Sequence, residues 1–157
     1  MSFVDIAYLR RKDIRNGYIR YTRKKTGHPL SVRIECEVQE IINRYRDVTA
    51  GTPYLFPILH TEDEKLSYKQ YQTGLRYYNK QLKKLASLLG ENIVLTSYTS
   101  RHTWASTARK HNIPVAVISD GMGHTSEKTT LIYLSSIDTS VIDRANAELV
   151  SSLTKNE

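Results

Sequence analysis

The sequence predicts an α+β domain that is mainly helical, with one small antiparallel β-sheet or hairpin near the N-terminus. Two patterns carry that reading. Apolar residues recur at three-to-four spacing from Lys69 to Leu89, the period of one helix face, whereas side chains alternate in character from Gly17 to Ile34, the period of a strand. A run of short helical stretches with polar and glycine breaks then fills the C-terminal half.

Each element follows from its residues. Met1 to Arg10 reads as a short helical piece, with Phe3, Ile6, Ala7 and Leu9 apolar and no N-terminal cap ahead of it. In "GYIRYTRKKTGHPLSVRI", Ile19, Tyr21 and Arg23 alternate with Tyr18, Arg20 and Thr22. Thr26-Gly27 turns the chain, and Leu30, Val32 and Ile34 return on one face, so Gly17 to Ile34 is a hairpin. Glu37 to Asp47 is an amphipathic helix with Val38, Ile41, Ile42 and Tyr45 on one side. The proline-punctuated stretch "AGTPYLFPILHTEDEKLS" is a connecting loop. A long helix over Lys69 to Leu89 ends at Gly90, where glycine tolerates the left-handed cap conformation. Shorter helices follow over Tyr98 to His111, Val115 to Ser119 and Ser126 to Ser135, the last with Ser126 as N-cap. A closing helix from Asp138 to Leu153 carries an apolar stripe of Val141, Ala145 and Leu149. No internal repeat divides the 157 residues, which fit one domain.

Composition narrows the function. No apolar run approaches the ~20 residues of a membrane span, and no signal-peptide pattern opens the chain. The single Cys36 excludes a disulfide framework and a cysteine-rich zinc site, and it suits a reducing cytoplasm. The net charge of +7 points to a polyanionic partner, nucleic acid being the commonest, against the plainer reading that charge only maintains solubility. Much of that charge lies in "LRRKDIRNGYIRYTRKKTG" and "YYNKQLKKL", interleaved with aromatics, as folded elements display it and disordered basic arms do not.

Three features concentrate chemistry. Arg101, Ala105 and Ala108 share a helix face. A guanidinium on an alanine-lined face is either a stem covering apolar surface or a charge aimed at an anion. In "GMGHTSEKTTLIYL" two glycines flank the approach to His124, and Tyr133 follows on the next helix. Alone, each of these residues has an ordinary structural explanation; together and in this order they do not. The combination "SYTSRHTWAS … GMGHTSEKTTLIYL" resembles the signature of the tyrosine recombinases, the phage-integrase family. That signature is a His/Lys-x-x-Arg-His stretch, a Leu/Met-Gly-His turn and a following tyrosine, matched here by Tyr98-x-x-Arg101-His102, Met122-Gly123-His124 and Tyr133. Lys25-Thr26-Gly27 falls where the family carries its β-turn lysine, and "MSFVDIAYLRRKDI" where it carries its first arginine.

The resemblance implies the tyrosine-recombinase catalytic-domain fold over residues 1–157 and a chemistry that needs neither metal, cofactor nor ATP. Tyr133 would attack a DNA phosphodiester and form a 3′-phosphotyrosine. Arg101 would hold the non-bridging oxygens, His124 would add a hydrogen bond or handle a proton, and Lys25 would protonate the leaving 5′-oxygen. Two positions depart from the pattern: Ser2 stands in place of the first arginine, and Tyr98 in place of the motif histidine or lysine. Arg23, two residues before Lys25 and on its face if the strand continues, is the candidate replacement cation; the other reading is that it binds DNA backbone outside the site.

The resemblance further implies double-stranded DNA as partner, a homotetramer on DNA in the full-length protein, a monomeric free fragment, and accessory DNA-bending or excision proteins. It also implies a bacterial mobile-element integrase acting in the cytoplasm, at the nucleoid when bound. The domain ahead of the catalytic one and its first helices would be absent from this chain. The alternatives are a degenerate integrase retained for DNA binding, a type IB topoisomerase-like activity from the same residues, and a helix-turn-helix regulator.

Overall fold

The computed structural model describes residues 1–90 and 93–135, so the expected helix from Asp138 to Leu153 lies outside the described residues. Among them the element order is α1 (Phe3–Ala7), a 3-10 turn (Arg11–Asp13), β1 (Ile14–Arg15), β2 (Tyr18–Thr22), β3 (Pro29–Arg33), α2 (Cys36–Arg44), α3 (Glu64–Leu89), α4 (Thr99–Lys110), α5 (Val115–Met122) and α6 (Glu127–Ser135). The mainly helical fold with a small antiparallel sheet is as expected. The chain divides into two compact units, Met1–Arg101 and a second beginning at His102.

The sheet of the first unit has three strands in the order β1-β2-β3, one more than a simple hairpin. The extra strand follows from Asn16 and Gly17, both at positive φ (51° and 74°). An Asn-Gly pair of this kind makes the tight turn whose twist suits a two-residue hairpin, so Ile14 pairs with Ile19 and Arg15 with Tyr18. Strands β2 and β3 pair from Tyr18↔Arg33 to Thr22↔Pro29. Alternation buries Ile19 and leaves Tyr18 and Arg20 outside. The return strand is less sharply sided, since Leu30 is half-buried but Val32 is exposed. Leu9, Ile19, Ile42 and Leu55 form the core here, with Ile14, Tyr21, Ile34, Val38 and Phe56 packed on it. Each such buried aliphatic contributes roughly 1.5–3 kcal/mol of burial.

Several boundaries differ from expectation, among them those of α1, which spans Phe3–Ala7 and not Met1 to Arg10, and α2, which spans Cys36–Arg44 and not Glu37 to Asp47. Helix α1 does have a cap: the Ser2 hydroxyl accepts from the Asp5 N–H at 3.4 Å, and the Asp5 carboxylate accepts from the Ser2 hydroxyl at 2.6 Å. Helix α3 begins at Glu64 instead of Lys69, because the Asp63 side chain accepts the Leu66 N–H at 2.8 Å and starts the helix inside the expected loop. It stops at Gly90, whose φ of 119° and ψ of 175° are positive-φ but extended, not the left-handed cap. On α2, Ile42 is buried and Val38 packs on the core, but Ile41 is exposed.

The second unit is built on a core of Ala105, Ile118, Met122 and Leu134, with Ala108 and Tyr133 partly buried against it. Helix α5 runs on through Gly121 to Met122, past the expected end at Ser119. Gly123 then takes the left-handed conformation (φ 61°, ψ 42°), and the Gly123 and His124 N–H groups donate to the Asp120 and Ser119 carbonyls at 2.9 and 3.0 Å. This is a Schellman stop. Of the two glycines ahead of His124, only Gly123 turns the chain. Gly121 is glycine for another reason: a Cβ there would lie 2.6 Å from Cη2 of Trp104, a distance real Cβ atoms do not tolerate. Helix α6 starts after Ser126, whose hydroxyl accepts the Thr129 N–H at 3.4 Å.

Candidate active site

The chemistry-bearing groups of the first unit gather around the sheet. Strand β2 ends at Thr22, and the Arg23 N–H donates to the His28 carbonyl at 2.9 Å while the Gly27 N–H donates back to the Arg23 carbonyl at 2.9 Å. Lys25 therefore rides on the turn and not on a strand, and the parity that would place it on the face of Arg23 does not apply. Arg23 is buried and Lys25 is exposed. The buried Asp5 ties this turn to α1, its Oδ1 accepting the Lys24 N–H at 2.9 Å. The Lys24 ammonium rests 4.3 Å above the Tyr8 ring.

Arg101 lies in the first turn of α4, where the helix's positive end and a guanidinium both favour an anion. Arg101 and Arg23 both act on the Tyr21 phenol. Burial, and then the Asp5 charge, push that phenol up to about 12, against the two guanidinium groups, which pull it down. Arg23 and Arg101 thus share one neighbourhood around Tyr21. Ser2, expected to stand in place of the first arginine, caps α1. Tyr98 precedes α4 and is half exposed.

In the second unit α4, α5 and α6 bring His102, His124, Thr130 and Tyr133 together. The Tyr133 hydroxyl is 2.8 Å from Nδ1 of His102, and the two rings are nearly parallel, 4° apart in plane with centroids at 5.1 Å. The His124 ring meets Tyr133 edge-on, 75° between planes and 5.9 Å between centroids. His124 is itself held by its Nδ1, 2.8 Å from Oγ1 of the fully buried Thr130. The glycine stop after α5 is what sends His124 back toward α6. His102 and Thr130 were not singled out by sequence reasoning, although His102 is the last letter of the quoted motif. Among the described residues, no group of three or more His, Cys, Asp or Glu side chains is placed to hold a metal ion, and no helix is long and apolar enough to cross a membrane.

A small hairpin sheet, a long helix and a final group of short helices carrying Arg-His, Gly-His and Tyr in that order define a tyrosine-recombinase catalytic domain. The family model described as "Phage integrase family" matches residues 3–139, and the chain belongs to that family. Among solved structures it is similar to the crystal structure of XerA recombinase, with a TM-score of 0.65 and 18% sequence identity. The match covers 94% of this chain and 52% of that one, so the chain spans about half the length of the relative. No curated protein matches.

Proposed function

We propose that this chain carries the strand-cleaving centre of a site-specific DNA recombinase, working through a 3′-phosphotyrosine intermediate. The observation that carries the reading is the seating of Tyr133: its hydroxyl is held by His102 at 2.8 Å and its ring is flanked by His124. A module that only binds DNA needs no such arrangement around one phenol, which weighs against a degenerate binding domain.

In this reading Tyr133 is the nucleophile. Its oxygen attacks phosphorus as the bond to the 5′-oxygen breaks, and the phosphodiester energy is kept in the new ester, so rejoining needs neither ATP nor metal. Negative charge builds on the non-bridging oxygens. Arg101 meets it with a planar fork of donors, and His124 adds a further hydrogen bond. Lys25, exposed on its turn, protonates the leaving 5′-oxygen. Arg23 supplies the second cation that Ser2 cannot, placed by the turn after β2, and Tyr98 contributes only as a phenol at the position of the motif base.

The partner is double-stranded DNA, attracted by the net charge of +7. The full-length protein acts as a homotetramer on DNA with accessory DNA-bending or excision proteins, and the free fragment is a monomer. A bacterial mobile element is the natural setting, and the cytoplasm the compartment. A nicked duplex that loses its cut end tests the reading by trapping the covalent adduct. Tyr133→Phe should abolish the adduct while DNA binding stays nearly intact. An adduct that persists would move the nucleophile to another tyrosine.

A further inference from the structure

We propose that His102 is the proton acceptor for the Tyr133 phenol, an inference that rests on the reading of Tyr133 as nucleophile. A phenol with a pKa of about 10 is a weak nucleophile at neutral pH and must lose its proton as it attacks. The position where the family pattern places a histidine or lysine is here Tyr98, and a phenol is no base near neutrality. His124 has its Nδ1 engaged with Thr130 at 2.8 Å and presents its ring to Tyr133 edge-on. Nδ1 of His102 lies 2.8 Å from the hydroxyl oxygen, within the range for general-base transfer.

The two rings lie nearly parallel, 4° apart in plane, and hold the hydroxyl against the imidazole edge at that distance.

The step balances. The Tyr133 O–H bond breaks and its proton passes to Nδ1, giving an imidazolium. The phenolic oxygen bonds to phosphorus as the P–O5′ bond breaks, and the 5′-oxygen takes a proton from Lys25. Rejoining runs in reverse: the 5′-hydroxyl returns its proton to the lysine, and the departing phenolate recovers its own from His102. The acceptor role requires the tautomer with hydrogen on Nε2.

That tautomer is readable without DNA. In the full ¹⁵N-labelled chain at neutral pH, Nδ1 of His102 should appear unprotonated and hydrogen-bonded, and its resonance should shift in Tyr133→Phe. A protonated Nδ1 in the neutral ring would overturn the proposal. His102→Asn then separates base from prop, because the amide oxygen can occupy the place of Nδ1 but takes up no proton. With a pool of suicide duplexes randomised around the nick, the variant should form adduct about a hundredfold more slowly near neutrality. Its rate should recover toward alkaline pH, or when Tyr133 is replaced by a fluorinated tyrosine of more acidic phenol. A wild-type rate, or a defect that neither change relieves, would make His102 a structural partner only. Should the variant fail to fold, the tautomer measurement still decides. An adduct that survives Tyr133→Phe would instead remove the nucleophile assignment, a different failure from this one.

Discussion

In the first unit backbone hydrogen bonds set the cations. Arg23 closes a turn through its own N–H and carbonyl, and the neighbouring Lys24 N–H is tied to Asp5. In the unit beginning at His102 the equivalent work is done by side chains. Tyr133 is placed by an imidazole, His124 by a threonine hydroxyl, and the approach of α4 to α5 by an indole against a glycine. A backbone-held group keeps its position when a side chain beside it changes, so substitutions in the first unit should alter chemistry and spare stability. Among the described residues of the second unit, the core of Ala105, Ile118, Met122 and Leu134 comes from the same three helices that seat Tyr133, and there the two effects should travel together.

The largest effect expected is on activity in the first unit. Arg101→Lys keeps the charge and loses the bidentate fork, and cleavage of a suicide duplex should fall about a hundredfold or more with melting unchanged. Cleavage at the wild-type rate would remove Arg101 as the phosphate ligand. Lys25→Ala should slow cleavage by about tenfold or more on ordinary DNA. It should be largely rescued when the 5′-bridging oxygen is sulfur, a leaving group that needs no proton. Equal defects on both strands would leave Lys25 with a positioning role alone.

Stability should carry the next effect, and it belongs to the second unit. Gly121→Ala forces Trp104 aside and should cost about 1–3 kcal/mol, read as a lowered denaturation midpoint. Loss of adduct formation should accompany it, because the same helices seat Tyr133. A variant as stable as the parent would break the contrast between the units. The smallest effect is confined to alkaline solution. The Tyr21 phenol ionises at about 12 in the fold, raised by burial, against about 10 unfolded. Its contribution is therefore complete below about pH 10 and is lost as pH rises through about 12. Tyr21→Phe has no proton to lose, so its stability should decline less steeply across that window. Parallel curves would show that Tyr21 is not the group responsible.

Periodicity made the long helix and the hairpin legible, because a helix face and a strand face repeat at distances the sequence displays directly. The element that escaped was announced just as clearly by Asn16-Gly17, a turn signal that implies a strand on both sides. Asp63, three residues ahead of Leu66, was likewise the start signal for α3, hidden in a stretch whose prolines read as loop. The site was legible as a set of residue types in order, and less so as geometry. Arg23 and Lys25 look like strand neighbours until the turn is seen to begin between them. Gly121 and Gly123 are indistinguishable in sequence, yet one serves backbone conformation and the other a ring approaching from another helix. Contacts such as Tyr133 with His102 depend on how helices approach, which no local pattern encodes.

The Trp104–Gly121 contact also orders the histories open to this chain. Every single-nucleotide change that replaces a glycine codon by another amino acid's adds at least a Cβ, and that atom meets the indole at 2.6 Å. The change that relieves the clash outright comes from the other side, with tryptophan giving way to something smaller. A side chain at position 121 is therefore accommodated more readily once position 104 has shrunk, and a lineage that loses the indole loses the constraint on the glycine with it.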